Sequence, residues 1–131
     1  GVDVMAMDAK KGGDQARVLF DNLPGYPDNL MRGRDGKIWL GFAKPRNPTI
    51  DKLAQKPFMR KVLIRALRFV PKIVEHRAMA LGLDLNGRVV ANLQDSSSGN
   101  YSPITCVREI GNSLYFGSLT ENSLAKLPLT P

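Results

Sequence analysis

One strand-turn-strand pattern occurs twice in this chain, and a repeat of that kind admits few folds. Setting Gly117 on Gly41 places Tyr115 on Trp39, Leu114 on Ile38, Arg108 on Arg32 and Pro103 on Pro27, all at one offset without a gap. Agreement at so many unlike positions points to one supersecondary unit used twice, the signature of a repeat architecture. In the first copy, an apolar Leu30-Met31 pair, an Arg34-Asp35-Gly36 turn and a second apolar run from Ile38 read as two antiparallel strands. Pro24, Gly25 and Pro27 interrupt regular structure ahead of them. Asp28 and Asn29 are therefore expected where a loop enters a strand.

The remaining segments have legible periods. Val2, Val4 and Ala6 alternate with Asp3, Met5 and Met7 as in a strand; Lys10 to Asp14 is a turn and Ala16 to Phe20 a second strand. Thr49 is a candidate N-cap for a short helix from Ile50 to Lys56, with a break or kink at Pro57. Phe58, Met59, Val62, Leu63, Ala66, Leu67 and Val70 then follow helical spacing, while Arg60, Lys61, Arg65 and Arg68 gather on the other face. This amphipathic helix is expected to bury Leu63 and Leu67 and to leave its basic face in solvent. From Ala78 the period returns to two, giving Met79 to Leu83, an Asp84-to-Gly87 turn and a strand from Arg88 to Leu93. Three further strands are expected over Ile104 to Ile110, Ser113 to Leu119 and Leu124 to Leu129.

A chain of 131 residues can bury one core and reads as a single domain over residues 1–131. Its net charge of +7 suits an anionic partner. Nucleic acid is not the partner expected, because no aromatic residues are interleaved with the charges to stack on bases. A membrane-surface role for the basic helix is a minor alternative to a cap packed on strands. The single cysteine, Cys106, excludes an internal disulfide and a cysteine-rich zinc site. No motif surrounds Cys106 or the single histidine, His76; Cys106 reads as a buried packing position. No serine elbow, phosphate loop or dinucleotide fingerprint is present.

The segment Leu23-Pro24-Gly25-Tyr26-Pro27-Asp28-Asn29, followed by Asp35-Gly36-Lys37-Ile38-Trp39-Leu40-Gly41, resembles the strictosidine synthase-like family. The likeness continues through Asn47-Pro48 to Leu114-Tyr115-Phe116-Gly117 and covers most of the chain. It implies a mainly β fold belonging to six-bladed β-propellers, of which these residues are about the last third, beginning in mid-blade. Taken with the repeat, this gives a partial β-propeller of about two four-stranded blades with one inserted amphipathic helical segment, residues 49–70. In such a ring the innermost strands face the ligand.

Asp28 and Asn29 can be read from the residues alone as a turn-capping Asx pair. The resemblance to gluconolactonase and paraoxonase propellers implies instead that one of them ligates a catalytic calcium, so both are candidate metal ligands. Tyr26, Asn29 and Thr105 are the candidates to meet a small-molecule ligand. Counting back from Leu114-Tyr115-Phe116-Gly117, Thr105 occupies the position of the catalytic glutamate of the strictosidine-forming members, and Pro103 stands where they have a histidine. A threonine has no acid-base pKa near neutrality, so strictosidine synthesis is not expected. Glu109, on the same strand, reads as a surface or pairing charge. The implied function is a calcium-assisted ester or lactone hydrolase; the alternative is a non-catalytic binding or structural module derived from such a propeller. Two blades expose apolar faces and open edges. Self-association, as a trimer or by strand exchange between two chains, or pairing with the remaining blades is therefore expected.

Overall fold

The computed structural model describes residues 3–6, 16–48, 52, 56–66 and 76–129. In chain order these form β1 (Val4–Ala6), β2 (Arg17–Phe20), β3 (Gly25–Arg32), β4 (Ile38–Pro45), α1 (Pro57–Ala66), β5 (Ala78–Leu83), β6 (Val89–Asp95), β7 (Cys106–Ile110), β8 (Ser113–Gly117) and β9 (Ala125–Pro128). The strands make three antiparallel sheets, in the orders β1-β2, β3-β4-β5-β6 and β7-β8-β9. The protein is mainly β, with one full four-stranded blade between a two-stranded and a three-stranded sheet, as in part of a propeller. The expected turn at 10–14, the Thr49 cap and residues Leu67 and Val70 lie outside the described residues.

Each edge of the four-stranded sheet follows from local chemistry. Asp35 and Gly36 carry φ of 54° and 73° and close the β3-β4 hairpin, with the Lys37 amide donating to Arg34 O at 3.0 Å. The prolines do not keep β3 from starting early: it begins at Gly25, with Tyr26 opposite Lys44 and Pro27 opposite Phe42. β3 is an edge strand, where a proline sacrifices no ladder bond that a neighbour needs. At the other end of the chain, β7 starts at Cys106 rather than Ile104, β8 stops at Gly117 and β9 starts at Ala125.

The four-stranded sheet is covered on both faces, so β5 is buried at all six of its residues rather than at alternate ones. Leu40, Phe42, Met79, Leu81 and Leu83 pack with Val4 and Leu23 towards β1 and β2. Trp39, Ala78 and Ala80 pack with Ile104, Val107, Leu114 and Phe116 towards β7, β8 and β9. Strand period two thus sorts alternate residues of β4 and β5 into two separate cores.

α1 starts at Pro57, with Lys56 before it not helical, in keeping with the expected break, and at a first helical position the missing N–H of a proline costs nothing. Phe58 is 76% exposed and Met59 and Val62 are exposed with it, so these apolar side chains do not pack on a blade. The Leu63 side chain lies outside the described set.

Candidate functional site

The innermost strands of two neighbouring sheets, β3 and β7, meet at the site. Pro27 pairs with Phe42 and Leu30 with Leu40, which leaves Asp28 and Asn29 sharing the place opposite Gly41. This is a β-bulge, a feature that re-aims side chains at an edge. Asp28 and Asn29 thus lie within a strand, at an irregularity, and not at the loop-strand junction. Both are exposed.

Asn29 Nδ2 donates to the Thr105 carbonyl at 3.0 Å and lies 3.4 Å from Asp28 Oδ1. Asn29 and Thr105 stand 76 residues apart, the offset of the repeat, so equivalent positions of successive units touch. Gly41 makes the approach possible: a Cβ there would sit 2.7 Å from Ile104 O and 3.0 Å from the Thr105 carbonyl carbon. Asp28 and Asn29 are exposed, and among the described residues the bonds given for their side chains use Asn29 Nδ2 and Asp28 Oδ1, not Asp28 Oδ2 or Asn29 Oδ1.

Thr105 enters the site through its backbone. Its side chain is buried, its hydroxyl donates to Gly117 O at 3.3 Å, and its amide donates to the same oxygen at 2.9 Å. Tyr26 is half-buried at the start of β3, opposite Lys44. Among the described residues no group of three or more His, Cys, Asp or Glu could hold a metal ion. His76 is exposed, and Cys106 is half-buried rather than buried. Among the described residues no helix is long and apolar enough to cross a membrane.

Glu109, expected as a surface or pairing charge, is a pairing charge whose side chain is only 1% exposed. Its Oε2 accepts from Trp39 Nε1 at 2.9 Å and from the Arg34 amide at 3.2 Å, and its Oε1 accepts from Arg34 Nε at 3.1 Å. Burial pushes the Glu109 carboxyl up, but the bonds from Trp39 and Arg34 and the charge of Lys37 outweigh it and hold the group below the usual glutamate value. The repeat carries a signal for this pairing. The residue equivalent to Glu109 in the first unit is Gly33, and a Cβ at Gly33 would lie 2.6 Å from Glu109 Oε2. One unit supplies the carboxylate and the other the space for it.

Elsewhere, a cleft of about 460 Å³ lies between β6 and β9, floored by Leu93, Ile104 and Phe116. It brings together none of the candidate residues except the neighbourhood of Thr105.

Comparison with known proteins gives a consistent family. The chain is 34% identical over 118 residues to strictosidine synthase-like 4 of Arabidopsis thaliana, covering 88% of this chain and 31% of that protein. It is 36% identical over 120 residues to strictosidine synthase-like 6 of the same plant, covering 89% and 31%. It is also 32% identical over 125 residues to the adipocyte plasma membrane-associated protein of Bos taurus, covering 91% and 30%. The chain therefore spans about three tenths of the length of these relatives. No family model and no solved structure matches it.

Proposed function

We propose, on the premise that this chain belongs to the strictosidine synthase-like family, that Asp28 and Asn29 are part of a calcium site serving ester or lactone hydrolysis at the mouth of a propeller channel. One observation carries the reading: the bond from Asn29 to the Thr105 carbonyl gathers two inner edge strands beside the Asp28 carboxylate. The donor types fit, since a carboxylate and an amide oxygen are what a hard cation takes. When bound, calcium polarises a carbonyl and lowers the pKa of a coordinated water. The chain's own residues position: the Thr105 carbonyl and Asp28 Oδ1 both accept from the Asn29 amide nitrogen, so that nitrogen is engaged and Asn29 Oδ1 is not used in either bond.

Calcium takes about six to eight oxygens. The rest of the ligand set comes in this reading from other blades, or from further copies of the chain closing as a trimer or exchanging strands. A small-molecule ligand occupies the channel mouth near Tyr26, Asn29 and Thr105. Strictosidine formation is not proposed, because Thr105 offers neither an acid-base group nor a free hydroxyl. That same observation favours a second reading, a non-catalytic binding module that retains the blades.

Calorimetric titration of the assembled protein with calcium, with phenyl acetate and lactone turnover measured with and without chelator, decides between them. Binding with chelator-sensitive turnover is expected. Binding without turnover establishes the module, and absence of both removes the calcium site. Light scattering at micromolar concentration that finds only a monomer removes the self-association.

A further inference from the structure

We propose that Glu109 is a positioning residue: by taking its hydrogen bonds from the opposite sheet, it fixes where β7 lies along β3 and so holds the Thr105 carbonyl within reach of Asn29. Its donors are Trp39 on β4 and Arg34 in the β3-β4 turn, whereas Glu109 itself belongs to β7. Arg34 also reaches past it, donating from Nη2 to Asn112 Oδ1 in the β7-β8 turn at 3.1 Å. Every one of these bonds crosses between the sheets.

A buried carboxylate tolerates little displacement, because losing its donors leaves a charge out of water. Shifting β7 by one residue moves each side chain to the other face of its sheet and strands the carboxylate. The pocket is also built for one occupant, since at Gly33 even a methyl group would lie 2.7 Å from Trp39 Nε1 and 2.6 Å from Glu109 Oε2. The charged groups facing the carboxylate from the β3-β4 turn are Arg34 and Lys37.

The Asn29–Thr105 bond is a second tie between the same two strands. Thr105 and Glu109 lie four residues apart, so at about 3.3 Å per residue the two ties stand roughly 13 Å apart. One tie would leave the strands free to pivot; two fix both register and angle. Asn29 is thereby kept with its amide nitrogen on the Thr105 carbonyl. Only the significance given to Asn29 rests on the calcium reading; the tie itself does not.

Trp39 is the single tryptophan of the chain, so its indole reports the Glu109 bond directly. The experiment follows the Trp39 indole N–H and the Asn29 side-chain amide of the 131-residue chain by NMR through an acid titration, in the wild type and in Glu109→Gln. Both signals are expected to move together in the wild type, with one midpoint below that of an ordinary glutamate, and neither to move so in Glu109→Gln. An indole that does not titrate overturns the tie. An indole that titrates while the Asn29 amide stays still makes Glu109 a local stabiliser and overturns the positioning role. The wild-type titration gives these answers even if the variant does not fold. A calcium titration of Glu109→Gln should show affinity weakened by about tenfold, the scale of partners that orient a ligand from outside. If the wild type binds no calcium, the calcium reading fails while the two NMR signals still judge the tie.

Discussion

The two faces of the four-stranded sheet are built on different principles. Towards β1 and β2 the sheet presents Leu40, Phe42, Met79, Leu81 and Leu83, large side chains with no polar atom among them. Towards β7, β8 and β9 it presents Gly41, Ala78, Ala80 and Gly82 beside Trp39, and there backbone meets backbone and a buried carboxylate bridges the gap. The first face is held by burial, which is strong but has no direction. The second gives up apolar volume for close approach and for bonds that fix distance and angle. The candidate site lies along the second face, where the relative placement of two strands matters.

The largest expected effect tests the first face. Phe42→Ala removes one of the largest fully buried side chains and should cost about 3–5 kcal/mol in urea unfolding. A loss below about 1 kcal/mol would mean that this face is not packed as described. The Asn29 amide signal should be unaffected, because Phe42 points away from β7.

On the second face, Glu109→Ala should cost about 2 kcal/mol, the scale of buried donors left without an acceptor. Its pH dependence has a definite sign. The folded-state pKa of Glu109 is held below the usual value, so the stabilisation is complete above the unfolded pKa of about 4.3 and is lost as pH falls through the folded one. Glu109→Gln should therefore lose less stability than the wild type between neutral and strongly acid pH. Equal acid slopes in urea-midpoint measurements would remove the carboxylate from the account of this face.

Much of this contrast could be read before the structure, and some could not. Alternation placed Met79, Leu81 and Leu83 on one face, but it could not say that Ala78 and Ala80 would be buried too. A period describes one sheet, and burial depends on what the neighbouring sheets cover. Pro27 argued for a loop at Asp28 because a proline cannot donate; on an edge strand that donor is not needed, and a bulge accommodates the residues instead. Glu109 was visible as a surface or pairing charge, and parity alone says where a side chain points and not what it meets. The exchange of glutamate for glycine at equivalent positions of the repeat was the available clue. Helical spacing was clear over 58–70, of which the structure describes 57–66; the Leu63 and Leu67 side chains expected to be buried lie outside the described set, while Phe58, Met59 and Val62 are exposed.

A smaller effect on stability is expected from α1. Because Phe58, Met59 and Val62 are exposed, deleting residues 49–70 should leave the sheets folded, with urea unfolding within about 1 kcal/mol of wild type. If the helix caps the channel mouth, the same deletion changes which ester or lactone is preferred. Outright unfolding would make the segment part of the core, and unchanged preference would remove the cap.

The smallest effect on stability is expected at Asp28, and it divides the roles of the second face most sharply. Asp28 is exposed, and the hydrogen bond its side chain makes among the described residues is the long one from Asn29 at 3.4 Å. Asp28→Ala should therefore change unfolding by less than about 0.5 kcal/mol, as surface substitutions away from caps and buried networks do. Glu109 is the reverse case, a buried carboxylate whose loss is felt in stability first. If Asp28 holds a cation, Asp28→Ala abolishes calcium binding while the Trp39 and Asn29 signals keep their acid midpoint. Calcium binding that survives Asp28→Ala assigns the bulge to a turn-shaping Asx pair and leaves the close-packed face as a means of holding blades together. A loss of stability as large as that from Glu109→Ala would instead show that the bulge, like the buried carboxylate, ties β3 to β7, and the division between holding the strands and holding a ligand would not stand.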